Sequence, residues 1–519
     1  MDYLIAIDAG TGSVRAVLFD AEGRQLGCSQ KEWFHRELPE YPGSMDFDCA
    51  ANWRLAASCV RELIAESGID RTRIAAVSTT CMREGIVLYD AGGNELWACA
   101  NVDARAGDEV AQLKKISPEL ERELYFESGQ TFALGALPRL LWVKNKQNDI
   151  YQKTAKAGMI NDWLIYKLSG VLLVEPSNGS TTGLFDLRKR AWDGSIAARC
   201  GLRTDIFPET AECGAIAGKV SKRGAEETGL LEGTPVVVGG GDCQLGTIGV
   251  GVAGDNEAVV FGGSFWQYEY NTAECILPAE CSVRVNCHAL PNLWQYEALA
   301  FNPGLAVRWY RDAFCQDEKR RALEINSDPY ALLDAEAKKY AAGSGGMVCA
   351  FSDVMNYINW RHAAPTFTNF SLNAEVFNKY SFYRALLENT CLVTRGHLEL
   401  VQKATGRSPQ KITFAGGAAK STLWPQILAD TLNLNVEVPV VKEATALGAA
   451  ILAGKGIGLY GDVETTAKSF AKIEREFKPQ SANVEVYQSL YQKWQAVYRA
   501  QLELADKKIT KYMWRAPGL

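Results

Sequence analysis

A strand, a glycine-rich turn and a second strand occur together at the start of the chain and again near its middle. The first unit is Leu4-Ile5-Ala6-Ile7, the turn Asp8-Ala9-Gly10-Thr11-Gly12, and Val14 to Phe19. The second is Ala258-Val259-Val260-Phe261, the turn Gly262-Gly263-Ser264, and Phe265 to Tyr270. A unit that returns once at this distance predicts a duplicated fold rather than a repeat array. Between and after the two units, short apolar strands alternate with longer helical spacings, which predicts α/β layers rather than a sandwich or a bundle.

The chain is long enough for such a duplication. It has 519 residues, 47% of them hydrophobic, which is ample for two lobes of about 250 residues or for three to four smaller units. The glycine-rich, charge-poor stretch from Gly246 to Gly254 is the expected hinge. It divides the chain into an N-terminal lobe, 1–246, and a C-terminal lobe, 247–519. A packing helix is predicted from Asn483 to Leu504.

The net charge of −6 gives no footprint for nucleic acid or an anionic membrane. The sequence shows no signal-peptide pattern and no apolar run of membrane-spanning length. Its 14 cysteines include no Cys-x-x-Cys, so reduced thiols and a cytoplasmic location are expected. Cys281, Cys287 and His288 match no zinc spacing.

Several short motifs carry chemistry. In the first turn, Gly10 and Gly12 let backbone N–H groups approach an anion, and Thr11 and Ser13 add hydroxyls. Asp8 at the strand end suits a magnesium ion held through water, and Arg15 suits a phosphate. The alternative is a tight hairpin that needs glycine for positive φ. Gly416-Gly417 lies between a strand, Ile412 to Ala415, and a helix, Trp424 to Leu432, where a phosphate is favoured. Ser421 there is a phosphate contact or a helix cap.

Val236 to Val238 lead through Gly239-Gly240-Gly241 to Asp242. That carboxylate sits at a sheet mouth where it can take a hydroxyl proton, or it caps the next helix. Arg83-Glu84 and Asp103 with Arg105 follow strands and suit polyol hydroxyls. Surface ion pairs are the plainer reading. Gly448 within Glu443 to Ala450 predicts a closely packed helix.

Taken in order, Asp8 to Ser13, Arg83-Glu84, Gly241-Asp242, Gly262 to Ser264, Gly416-Gly417 and Glu443 to Gly448 resemble the FGGY family of sugar and polyol kinases. The match covers nearly the whole chain. The resemblance implies two actin- and hexokinase-like (ribonuclease H-like) lobes with ATP, Mg2+ and a small polyol in the cleft. Asp8, Gly10, Thr11, Gly12, Ser13, Arg15, Gly262, Gly263, Ser264, Gly304, Gly416, Gly417 and Ser421 then handle nucleotide and phosphates. Asp242 is the acceptor base, and Asp8 and Asp242 face the metal. Arg83, Glu84, Asp103, Cys243 and Trp266 join Asp242 around the acceptor, although Trp266 suits a core position equally.

Departures are informative. Glycerol kinase has threonines where Gly12 and Gly263 stand, a tryptophan at Asp103 and a glutamine at Cys243. The last two set glycerol aside as substrate. The runs Ser78 to Tyr89, Trp97 to Ala106, Val440 to Gly448, Lys493 to Tyr498 and Ala516 to Leu519 resemble a bacterial branch of the family. Its acceptor is the linear quorum signal 4,5-dihydroxypentane-2,3-dione, phosphorylated on its terminal hydroxyl. A pentulose or other polyol kinase is the alternative within the class. A non-catalytic, ATP-switched actin-like protein is the remote one, disfavoured because a switch needs neither an acceptor base nor a hydroxyl-binding pair.

Overall fold

A computed structural model describes residues 2–133 and 135–518; Leu519, the last of the quoted C-terminal run, lies outside them. The first sheet is built from β1 (Tyr3–Ala9), β2 (Ser13–Asp20), β3 (Gln25–Glu32), β4 (Ile74–Cys81), β5 (Ile216–Lys219) and β6 (Pro235–Gly241), in the order β5-β6-β4-β1-β2-β3. β1, β2 and β3 form an antiparallel meander, β4 and β6 add in parallel, and β5 closes the edge antiparallel.

The second sheet repeats this plan. It contains β7 (Glu257–Gly262), β8 (Trp266–Thr272), β9 (Arg284–Cys287), β10 (Trp294–Ala300), β11 (Lys411–Ala415), β12 (Asn435–Pro439) and β13 (Ile473–Phe477), ordered β9-β10-β8-β7-β11-β12-β13. β7, β8 and β10 again form the meander, β11 and β12 are parallel, and β13 is the antiparallel edge. The predicted duplication is therefore present strand for strand, with β9 as an addition. Parallel strands buried on both faces explain the near-continuous Val, Ile and Ala runs of β1, β4 and β6.

Six helices position the site: α1 (Asp242–Gly249), α2 (Pro303–Phe314), α3 (Lys379–Thr405), α4 (Trp424–Leu432), α5 (Ala444–Gly456) and α6 (Ser481–Asp506). The expected division after residue 246 cuts through α1. The chain passes between the sheets over 250–256 instead, so the glycines of 246–249 are helical rather than a hinge. α5 also crosses the division: it comes from the C-terminal half but packs on β1, β4 and β6 of the first sheet.

α1 and α5 cross at backbone contact. A Cβ at Gly448 would stand 2.0 Å from the Leu245 carbonyl oxygen, and one at Gly249 would stand 1.8 Å from that of Ala444. That closeness accounts for the helical glycine that the sequence singled out. Among the described residues, no helix is long and apolar enough to cross a membrane.

Candidate active site

The register of the first hairpin sets Asp8 opposite Arg15. Arg15 Nε lies 3.5 Å from Asp8 Oδ2, and its Nη1 donates to Glu443 Oε2 at 2.5 Å. Arg15 is thus committed to two carboxylates, one of them at the start of α5, rather than held free for a phosphate. Burial pushes Asp8 up to about 7; Arg15 pulls it down, while the charges of Asp242 and Glu443 push it further up. The charge of Asp242 reaches Asp8, so these two carboxylates are the ones that could hold a divalent cation. No cluster of three or more His, Cys, Asp or Glu side chains able to hold a metal exists among the described residues. Phosphate oxygens and water would complete the shell, as suits Mg2+.

In the turn after Asp8, the Trp33 indole donates to the carbonyls of Gly10 and Thr11 at 3.0 and 3.1 Å. The Trp33 N–H donates to Gly12 at 3.2 Å. These contacts draw the carbonyls to one side, the arrangement that leaves N–H groups for an anion on the other. Gly10 and Gly12 are not among the positive-φ glycines, and a Cβ at Gly12 would meet nothing within 4 Å. The hairpin therefore does not need these glycines for its backbone angles.

The second set of glycine loops closes on itself. Gly416 has φ 91°, and a Cβ there would lie 2.7 Å from the Gly262 carbonyl oxygen; one at Gly304 would lie 2.0 Å from that of Gly263. Gly262, Gly263, Ser264, Gly304, Gly417 and Ser421 line one cavity of about 460 Å³. Gly417 itself is not at positive φ, and its nearest neighbour to an added Cβ is 3.9 Å away. Ser421 Oγ donates to Asp334 Oδ2 at 2.6 Å and accepts the N–H groups of Leu423 and Trp424 at the start of α4. Asp334, which sequence reasoning did not find, also accepts from Tyr383 at 3.0 Å and from the Thr422 N–H at 3.0 Å.

Asp242 is the first residue of α1. The helix is capped by Gly241, and among the described residues the Asp242 carboxylate accepts only from its neighbour, the Cys243 N–H, at 2.8 Å. Capping is therefore not its role. Its side chain is 37% exposed, and Arg83 Nε lies 3.3 Å away. Burial raises its carboxyl above the usual range; Arg83 opposes this and Glu84 adds to it. Arg83 is gripped by Glu297 on β10 through both terminal nitrogens, Nη2 to Oε1 at 2.8 Å and Nη1 to Oε2. Glu84, at φ 65°, lies 2.5 Å from Arg284 on β9.

Two expected acceptor contacts are placed elsewhere, whereas Cys243, next to Asp242 and close enough to Arg83 to act on its charge, stays with the acceptor group. Asp103 is buried, bonded to Arg105 Nε at 2.8 Å and to the Met45 N–H at 2.6 Å, so it braces its own loop. Trp266 is fully buried, donates to Thr394 at 2.8 Å and stacks on Trp424 with ring centres 5.0 Å apart; it is core. Cys243 is buried, and burial raises its thiol well above the ordinary value. Glu297 and Arg284 were missed. A signal existed: Trp-Gln-Tyr-Glu occurs at 266–269 and again at 294–297. Its two copies pair antiparallel with Glu269 opposite Glu297.

Comparison with known proteins agrees with this geometry. The family description "FGGY family of carbohydrate kinases, N-terminal domain" matches residues 3–249, and its C-terminal counterpart matches residues 268–457. A protein named autoinducer-2 kinase from Enterobacter sp. (strain 638) is 48% identical over 520 residues, covering 100% of this chain and 98% of that protein. One of the same name from Salmonella typhimurium is 47% identical, again over 100% and 98%. The crystal structure of xylulose kinase from Rhodospirillum rubrum shares the fold with a TM-score of 0.85 at 23% identity, over 96% of this chain and 98% of that one. With both halves of the chain matched in order and nearly half of its residues shared with full-length relatives, the chain belongs to the FGGY family of carbohydrate kinases, as an ATP-dependent phosphotransferase with an alcohol acceptor.

Proposed function

We propose that this enzyme transfers the terminal phosphoryl group of ATP to the terminal hydroxyl of linear 4,5-dihydroxypentane-2,3-dione, the autoinducer-2 signal, in the cytoplasm. The relatives sharing nearly half of its residues carry the name autoinducer-2 kinase. The observation that carries the chemistry is Asp242, a carboxylate on a helix start that does not cap the helix and is partly open to the cleft beside Arg83.

In this reading Asp242 orients the acceptor hydroxyl and takes its proton late in the transfer. Its raised affinity for protons suits that task. Arg83 donates to acceptor oxygens and Glu84 accepts from acceptor hydroxyls. The glycine loops at 10–13, 262–264 and 416–417 hold the phosphates through backbone N–H groups, and Gly304 and Ser421 close the nucleotide cavity. Asp8 and Asp242 would hold Mg2+ through water; bound there, the ion neutralises charge on the transferring group. Closure of the two lobes would exclude water, which keeps ATP from hydrolysis.

The test is ADP formation across a panel of the dihydroxy-dione, xylulose, ribulose and glycerol, with the product mass measured. The dihydroxy-dione is expected to dominate. Equal turnover of a pentulose would transfer the assignment to that sugar and leave the kinase class intact.

A further inference from the structure

We propose that Glu297 and Arg284, both on the second sheet, are positioning residues of the acceptor site, fixing Arg83 and Glu84 by direct contact from the other lobe. The proposal rests on the acceptor role given to Arg83 and Glu84 above.

The geometry is a chain of charges running from the first lobe to the second. Asp242 lies 3.3 Å from Arg83 Nε. Both terminal nitrogens of Arg83 meet Glu297. Arg284 Nη1 lies 3.6 Å from Glu297 Oε1 and 2.5 Å from Glu84. Glu297 is fully buried and Arg284 nearly so. Asn286 donates to Glu297 Oε2 at 3.0 Å, and Gln130 accepts from Arg284 Nε at 2.8 Å, so both are held in one orientation.

Stability does not explain the arrangement. Buried ion networks are often no more stabilising than apolar residues of the same size. Here the cost is increased by Glu269, which faces Glu297 across the strand pair. Glu269 is fully buried, and neither of its carboxylate oxygens has a hydrogen-bond partner among the described residues. Burial and the Glu297 charge push the Glu269 carboxyl well above the usual range, while the two arginines hold that of Glu297 below it. A sheet face that retains these groups one arginine away from the acceptor base is organised for placement. Orientation is worth this cost, because a displacement of about 1 Å at a reacting centre loses about a hundredfold in rate.

The experiment uses the full chain and whichever panel acceptor the wild type prefers. Glu297→Gln keeps the shape of the side chain and removes the charge that grips Arg83. It should lower acceptor kcat/KM by about thirtyfold or more, with the ATP dissociation constant from calorimetry changed by less than about threefold. If Glu297 acts through Arg83, adding Glu297→Gln to Arg83→Gln should cost less than about a further threefold. Arg284→Lys retains the charge but not the fork. It should also weaken acceptor use selectively, and it carries the test if Glu297→Gln does not fold. A folded variant with acceptor kcat/KM within about threefold of wild type overturns the proposal. So do losses that multiply in the double variant, or ATP affinity falling in parallel. Failure of the functional reading is seen in the wild type, by which acceptor it uses. Failure of this proposal is seen in the ratio of variant to wild type on that acceptor.

Discussion

Burial raises the Asp242 carboxyl most, and Arg83 at 3.3 Å pulls it back with help from the Cys243 N–H, while the charges of Glu84 and Glu297 add to the rise. As acceptor base it has no replacement in asparagine, which keeps the size and loses the proton acceptor. General-base contributions are about 10²–10⁴-fold, so Asp242→Asn should lower kcat at least about a hundredfold with ATP affinity little changed. Steady-state rates with calorimetry on the folded variant check this; near-normal turnover would remove the assignment. A second residue far from the cleft gives a pH signature. Burial pushes Asp353 up to about 7, against the Val354 N–H and the Tyr498 hydroxyl that lower it. Its folded value is thus raised above the unfolded one near 3.8. The folded chain binds the extra proton, so its stability falls as pH rises between about 4 and 7. Asp353→Asn should therefore gain on the wild type from pH 5 to pH 8. The side chain is partly exposed, so the gain is ~1–2 kcal/mol, read from melting curves. A difference that stays flat with pH would place Asp353 in the ordinary carboxylate range. Single residues were also where the sequence misled most. Asp103 and Trp266 were expected near the acceptor, Trp266 with a core role equally open, yet one is spent on Arg105 and the other on the Thr394–Trp424 core. Local sequence does not reveal which face of a strand or loop a side chain will leave to a ligand.

Elements were far more legible. Both glycine-turn hairpins, the strand before Gly416, the helix from Trp424 to Leu432 and the terminal helix all lie where hydrophobic period and breakers put them. These signals are local, and their structures form locally. The polar face of β8 and β10 was not legible, because alternation with Gln and Glu reads as a solvent-exposed face. Here the other lobe covers it. The crossing of α1 and α5 lies between these extremes. Gly448 announced close packing, but its partner Leu245 is two hundred residues away and could be identified only in three dimensions. Gly448→Ala places a methyl group 2.0 Å from a carbonyl oxygen that belongs to a helix backbone. Overpacking of this kind costs about 1–3 kcal/mol or more. Because α1 begins at Asp242, the shift should also reach the acceptor base. The expected outcome is a melting temperature several degrees lower together with reduced kcat; a variant melting within about one degree of wild type would mean that the helices separate at little cost.

At the scale of the molecule, the N-terminal lobe is completed by the C-terminal half of the chain. α5 lays Ala446, Leu447, Ala450 and Ile451 against Leu4 and Ala6 of β1, Val17 and Phe19 of β2, Ala76 of β4 and Val237 of β6, all in one buried cluster. The match of the N-terminal family domain stops at residue 249, while α5 lies inside the C-terminal match. A boundary drawn along the sequence therefore separates residues that share a core. This gives a test of the architecture. A fragment of residues 1–249 would present the β1–β4–β6 face to water without its helix, an apolar patch large enough to drive association. Burial of a side chain such as Leu or Ile is worth about 1.5–3 kcal/mol, so loss of four to six such contacts is comparable with the net stability of an ordinary domain, about 5–15 kcal/mol. The fragment alone should be aggregated or lack a cooperative melting transition. Co-expression with residues 250–519, which carry α5, should restore a soluble complex that melts cooperatively. A monomeric 1–249 fragment with a sharp transition near that of the whole chain would show that the first sheet holds its own core and that α5 only rests upon it.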